Sequence, residues 1–203
     1  MPQIYLASQS PRRRQLLEQL GVSHELLLPG PEEDAEALEA VLPEELPDHY
    51  VRRVTDNKLQ AALARLKARG LPPLPVLCSD TTVALGDDIL GKPDDASHAL
   101  DLLKRLSGQT HRVLTAVAVG VPETGRVLQA VSVSEVTVAP VGEAALLRYV
   151  QSGEPMGKAG AYAIQSRFAA WVSHMAGSYS GIMGLPLYET GRILSELGID
   201  CGL

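Results

Sequence analysis

The sequence predicts an α/β fold, an elongated mixed β-sheet flanked by helices, with two lobes around a central cleft. Three observations carry that expectation. An apolar strand at Ile4 to Ala7 runs into Ser8-Gln9-Ser10-Pro11 and an amphipathic helix, the strand-then-helix order of a layered sheet. Val113 to Val121 is apolar at successive positions, as in a strand covered on both faces, and Pro122-Glu123-Thr124-Gly125 turns it into a long partner from Arg126 to Ala139. That hairpin makes the sheet mixed. Thirdly, the residues with chemical promise come from both ends of the chain, which places them in a cleft. At 203 residues the chain can bury a full core and is short for two large domains, so residues 1–203 read as a single domain.

In chain order, Ser8 to Pro11 supplies a hydroxyl at a helix N-cap and a proline at the first helical position, and the helix Arg12 to Leu20 is closed by Gly21. Leu16, Leu17 and Leu20 face the core. Arg12, Arg13 and Arg14 crowd the first turn, the unfavourable end of the macrodipole for positive charge. A strand leading into Ser-x-Ser and a helix N-terminus is an anion cradle of N–H groups and hydroxyls, and the arginines suit it to a polyphosphate. A solvated basic turn is the plainer alternative. Glu25 to Leu28 reads as a second strand. The acidic, proline-punctuated segment from Pro29 to Pro47 reads as a mobile solvated loop, with the alternative that one of its carboxylates reaches back to a metal. Asp48 then caps a helix to about Ala68, in which Val51, Val54, Leu59, Ala62, Leu63 and Leu66 form an apolar stripe with Lys58 at its edge.

The stretch from Pro75 to Pro93 carries the strongest chemical signal. A short apolar run, Pro75 to Cys78, delivers the carboxylate of Asp80 and the hydroxyls of Thr81 and Thr82 at its C-terminal end. After a Gly86-Asp87-Asp88 turn the chain returns with Lys92 between Gly91 and Pro93. In α/β proteins chemistry collects where strands end and loops begin. Asp94 or Asp95 caps the next helix, with Leu100, Leu103 and Leu106 inward, and Gly142 to Ser152 is a further helix. Gly153 to Gln165 reads as a glycine-rich approach into a strand, with a plain irregular connection as the alternative, Phe168 to Met175 as another strand, and Gly177 to Pro186 as the lead into a last helix ending near Gly198.

Several function classes drop out. The 18 Lys+Arg against 24 Asp+Glu give a net charge of −6, and aromatic content is 4%; both argue against nucleic-acid binding, which rests on phosphate neutralisation and stacking. No apolar run approaches the roughly 20 residues of a membrane span, and Met1 to Ile4 carries no signal-peptide pattern, so a cytoplasmic location is expected. Cys78 and Cys201 are far apart and expected to be reduced thiols. The five histidines show no zinc spacing. Gly177 to Gly181 fails as a nucleophile elbow because Tyr179 holds the serine position, and no phosphate-loop or dinucleotide fingerprint occurs. What remains, acids with Lys and Arg in glycine-rich surroundings, suits metal-assisted attack on a phosphate.

In Leu6-Ala7-Ser8-Gln9-Ser10-Pro11-Arg12-Arg13, Ser79-Asp80-Thr81-Thr82-Val83 to Gly91-Lys92-Pro93, Arg105-Leu106-Ser107-Gly108, Gly153-Glu154-Pro155 with Lys158 to Gln165, and Gly184-Leu185-Pro186, the sequence resembles the Maf family of nucleoside triphosphate pyrophosphatases, once described as septum formation inhibitors. These pieces lie in order and span nearly the whole chain. Asp80-Thr81 and the Lys158 to Gln165 run resemble the branch acting on dTTP and UTP. The resemblance implies a Maf/Ham1-like fold and hydrolysis of dTTP and UTP, with modified pyrimidine triphosphates as a further option, to the monophosphate and pyrophosphate. It implies Asp80 as catalytic proton acceptor; Ser8, Arg13, Lys58 and Lys92 as phosphate-binding residues; and Arg12, Thr81 and Gln165 as residues of base specificity. It further implies a divalent cation, Mg²⁺ or Mn²⁺, held by Asp80 and Glu33, and a homodimer. The alternative is a non-catalytic nucleotide-binding regulator of cell division or septum formation.

Overall fold

The computed structural model describes residues 3–34 and 37–201. Its centre is one seven-stranded mixed sheet. The strands are β1 (Ile4–Leu6), β2 (His24–Leu26), β3 (Val76–Leu85), β4 (Asp88–Leu90), β5 (Thr110–Val121), β6 (Arg126–Val138) and β7 (Val172–Ala176). They lie in the order β2-β1-β3-β5-β6-β7, with β4 hydrogen-bonded to β3 outside that path. β2, β1 and β3 run parallel, and β3, β5, β6 and β7 alternate in direction. The helices are α1 (Pro11–Gln19), α2 (Pro47–Ala68), α3 (Ala96–Leu106), α4 (Glu143–Gln151), α5 (Tyr179–Met183) and α6 (Leu187–Glu196).

Side-chain alternation along β3 assigns the two faces of the sheet. Val76 and Cys78 pack with Leu59, Ala62 and Leu66 of α2, and Ala84 packs with Val51. On the opposite face Leu77 joins Leu16, Leu17 and Leu20 of the α1 region and Ile193 and Leu194 of α6. Farther along, Val83 enters a third cluster with Leu102, Leu103 and Leu106 of α3 and Leu146, Tyr149 and Val150 of α4. The long strands β3 and β5 therefore thread all the cores, and nine successive residues of β3, Val76 to Ala84, pair with β5.

Several local expectations need correction. Asp80 does not sit at a strand end: β3 continues through it to Leu85, because the register with β5 is unbroken on that side. The other edge of β3 is different. β1 pairs only with Val76 and Leu77, and β4 only with Val83 to Leu85. Residues 78–82 thus have no strand partner on that edge among the described residues, and Asp80, Thr81 and Thr82 lie in this gap within the sheet. Helix α2 starts at Pro47 with Leu46 as N-cap, and Asp48 lies in its first turn, paired with Arg52 at 3.1 Å. Ser10 occupies the N-cap position of α1 without a capping side-chain bond; the Ser8 hydroxyl accepts from the Ser10 N–H instead, at 3.2 Å. Asp95 caps α3, accepting from His98 N–H at 2.8 Å.

The segment from Gly153 to Gln165 contains no strand. It forms turns and a short 3₁₀ element at Ala159–Ala161, and a second 3₁₀ element at Arg167–Trp171 precedes β7. Aromatic packing holds this irregular backbone: Tyr162 stacks on Phe168 with ring centroids 4.3 Å apart, Tyr149 and Trp171 pack edge-on, and the Tyr162 hydroxyl meets His111 Nε2 at 2.7 Å. Burial pushes the His111 pKa down to about 4, so the ring is neutral at pH 7. The lead into the last helix holds a short helix of its own, α5, which ends at Gly184 with φ +121°, and α6 begins after Pro186.

Gly160 brings this segment against β3. Its φ is +65°, its N–H donates to the Gly91 carbonyl at 3.0 Å, and an added Cβ would lie 2.9 Å from Val83 Cγ1. Gly160→Ala is expected to lower stability by about 1–3 kcal/mol, combining left-handed backbone strain with overpacking; the shift in urea midpoint measures it.

Candidate active site

The gap on the edge of β3 opens into a cavity of about 450 Å³, within the range of small-molecule sites. Its walls are the β1–α1 loop and the first turn of α1 (residues 7–13), α2 through Tyr50, Lys58 and Arg65, β3 from Ser79 to Val83, the end of β4 and the two residues after it (89–92), residues 157–165, and the end of α5 through Gly184. The N-terminal segment arrives because β1 is the neighbour of β3 in the sheet, and the C-terminal one because Arg13 and Thr115 hold the Gly184 and Gly181 carbonyls.

Asp80 and Thr81, adjacent in sequence, point to opposite faces. Asp80 is 7% exposed and faces α2. There Lys58 Nζ donates to Asp80 Oδ1 at 2.6 Å and to Glu39 Oε1 at 2.7 Å. Lys92 Nζ reaches the other oxygen of Glu39 at 2.6 Å, and the Tyr50 hydroxyl fixes the Glu39 carbonyl at 2.8 Å. Two cations and two carboxylates thus form a continuous chain, Asp80 to Lys58 to Glu39 to Lys92. Burial opposes ionisation of Glu39, but the charge and hydrogen bonds of Lys58, then Lys92, outweigh it and hold the carboxyl below its ordinary value.

On the other face, Arg13 ties the β1–α1 loop to β3 and to the chain after α5. Its Nε donates to the Gly184 carbonyl at 2.8 Å, and its terminal nitrogens reach Thr81 Oγ1 at 3.3 Å and Ser8 Oγ at 3.5 Å. Ser79 Oγ approaches the carbonyls of Ala116 and Gly184 at 2.7 and 3.0 Å, and Thr115 Oγ1 approaches the Gly181 carbonyl and the Thr81 hydroxyl at 2.7 and 3.0 Å. The positive φ of Gly184 aims its carbonyl at Arg13 and Ser79 without a Cβ in the way. Burial draws the Arg13 pKa down, while the negative charges of Asp80 and Glu39 act against it.

Arg12 and Gln165 also line the cavity, as does Lys158, which donates to the Glu154 and Met156 carbonyls. Burial, followed by the charge of Arg12, lowers the Lys158 pKa. Of the residues singled out from sequence, Ser8, Arg12, Arg13, Lys58, Asp80, Thr81, Lys92 and Gln165 all line this one cavity.

Glu33 does not. Arg65 grips it through two nitrogens at 2.6–3.1 Å, and the Gly30 N–H donates to it at 3.0 Å. Arg65 first, then the Gly30 N–H, bring its pKa down to about 2. The acid that meets Asp80 across Lys58 is Glu39, which sequence reasoning passed over. No sequence feature separates Glu39 from the neighbouring acids. It is selected by the way the whole segment docks: Glu33, Glu39 and Glu45 engage Arg65, Lys58 and Arg53 of α2, with Glu45 held by Arg53 at 2.6 and 2.7 Å. The expected solvated loop is, in its described residues, a strap running antiparallel to α2. Among the described residues no group of three or more His, Cys, Asp or Glu could hold a metal ion, and no helix is long and apolar enough to cross a membrane.

Residues 3–197 match the family model described as Maf-like protein. The chain belongs to the Maf-like family. Members of this family with similar sequences include proteins named dTTP/UTP pyrophosphatase from Albidiferax ferrireducens, 63% identical with 96% of each chain covered, and from Burkholderia pseudomallei, 62% identical with 95% of this chain and 92% of the relative covered. A third, from Ralstonia nicotianae and of the same name, is 59% identical with 98% and 95% covered.

The Glu33–Arg65 pair gives a pH test. A folded-state pKa of about 2, against an ordinary 4.5, means that Glu33 stabilises the fold fully above pH 4.5 and that this contribution is lost as pH falls toward 2. Glu33→Gln is therefore expected to be less stable than the wild type at pH 7, with the gap closing as pH falls from 4.5 to 2, as read by denaturant titration across pH.

Proposed function

We propose that this protein is a nucleoside triphosphate pyrophosphatase that hydrolyses dTTP and UTP to the monophosphate and pyrophosphate. The observation that carries the reading is the Asp80–Lys58–Glu39–Lys92 chain lining a cavity that residues 8–13 also line. The names of the relatives support it. In the free site two ammonium groups and two carboxylates neutralise one another. A triphosphate exchanges those partners: Lys58 and Lys92 turn to phosphate oxygens, with Arg13 and the Ser8 hydroxyl beside them, and the carboxylates are released for chemistry. Asp80 accepts the proton of a water that attacks the α-phosphorus, and the cations stabilise charge on the departing pyrophosphate. Arg12, Thr81 and Gln165 serve the base, and the bonds from Arg13 and Thr115 restrain Thr81 for that role.

A divalent cation, Mg²⁺ or Mn²⁺, belongs to the reading. Asp80 and Glu39 each lie within hydrogen-bond distance of a single ammonium group, so they can share one cation; two carboxylates, completed by substrate phosphates and water, are an ordinary donor set for Mg²⁺. When bound, such an ion supplies charge neutralisation and polarisation of the phosphoryl oxygens. Glu39, not Glu33, is proposed as the second carboxylate. The reading further includes one Maf-like domain, a homodimer and a cytoplasmic site of action.

Purified protein incubated with each NTP plus Mg²⁺ or Mn²⁺ tests it by pyrophosphate release; nucleotide bound but never hydrolysed would favour the regulator instead. Asp80→Asn is expected to lower kcat by about 10²–10⁴-fold with nucleotide affinity largely retained, and near-normal turnover would remove Asp80 from its role. Glu39→Gln is expected to lose at least about tenfold more activity than Glu33→Gln under the same assay. Chelation with EDTA is expected to stop pyrophosphate release, and added Mg²⁺ or Mn²⁺ to restore it.

A further inference from the structure

Thr82 lines the same cavity and is only 2% exposed, yet its hydroxyl has no hydrogen-bond partner among the described residues. The hydroxyls beside it are engaged: Ser79 and Thr81 of β3 take part in the Arg13 and Gly184 network, and Thr55 of α2 donates to the Val51 carbonyl at 2.8 Å. A buried hydroxyl without a partner is costly, and a valine would fill the same space without that cost. The hydroxyl oxygen is also sealed from solvent, so a partner reaches it only where ligand binding draws Lys58 away from Asp80 and opens this wall.

Alternation along β3 puts Thr82 on the face of Asp80, two residues on and about 6.6 Å along the strand. A water joining a hydroxyl to a carboxylate spans about 5.5 Å. We propose that Thr82 is a positioning residue that holds the attacking water against Asp80, an inference that rests on the pyrophosphatase reading. The Thr82 O–H donates to one lone pair of the water, the water donates an O–H to Asp80, and its second lone pair faces the α-phosphorus. As the new O–P bond forms, the bond from the α-phosphorus to the oxygen bridging to the β-phosphorus breaks. Its electron pair leaves with pyrophosphate, and the water proton passes to Asp80.

Thr82→Val preserves shape and removes the hydroxyl; Thr82→Ser keeps it. With dTTP and UTP as substrates, Thr82→Val is expected to lower kcat about tenfold at little-changed KM, and Thr82→Ser to recover kcat to within about threefold of the wild type. Thermal unfolding of each variant is measured alongside. If Thr82→Val fails to fold, Thr82→Ala compared with Thr82→Ser carries the same contrast, with the alanine variant about tenfold lower in kcat. Unchanged kcat in Thr82→Val, with equal or raised Tm, overturns the inference alone and leaves Thr82 as wall packing. A wild-type protein that releases no pyrophosphate from any NTP overturns the pyrophosphatase reading and this inference with it.

Discussion

Lys58 is the constraint around which the site is arranged. Its ammonium is shared between Asp80 of β3 and Glu39 of the strap. The strap, α2 and β3 are thus bound to one another through a single group. The long apolar stripe of α2 places Lys58 over the sheet, while the pairing of Glu33 and Glu45 with Arg65 and Arg53 delivers Glu39 to it. The interaction is also one that a polyphosphate and a cation can replace partner for partner. In the proposed function, the same geometry that joins these elements suits the site to a highly charged ligand.

The second constraint is the interrupted edge of β3. Strands that end early on one side and pair continuously on the other leave a short length of backbone accessible to a ligand while its partner strand keeps it rigid. The site therefore reads both faces of one strand: Asp80 and Thr82 toward α2, Ser79 and Thr81 toward Arg13 and Gly184. Rigid elements hold functional groups more closely than loops do. Here the irregular wall of residues 157–165 is itself fixed by Gly160 against Val83 and by the Tyr162, Phe168 and Trp171 rings.

Elements with a strong local signal were legible. The β5–β6 hairpin follows from apolar runs flanking a Pro-x-x-Gly turn, and α2 from a stripe of period 3.6, each within a few residues of its expected bounds. The 153–165 segment was legible only as a choice between an approach into a strand and a plain irregular connection, and residues 168–171 read as strand, because their apolar and aromatic side chains satisfy a strand pattern as well as they satisfy ring packing. The continuation of β3 through Asp80 was missed for a related reason: Ser, Asp and Thr are poor strand signals, and only pairing with β5 holds them extended.

By itself the sequence determined the chemical inventory and the mixed α/β character: a serine-arginine loop before a helix, an acid, two lysines and a glycine-rich run, residue types whose charge and hydrogen-bonding capacity do not depend on the fold. Only the tertiary structure decided how they combine. It put Asp80 and Thr81 on opposite faces, chose Glu39 over Glu33 as the acid across Lys58, and left the Thr82 hydroxyl unpartnered. The physical reason is that a charge finds its partner by distance through space, and in an acidic segment where every glutamate is chemically alike, that distance is set by how the strap lies along α2.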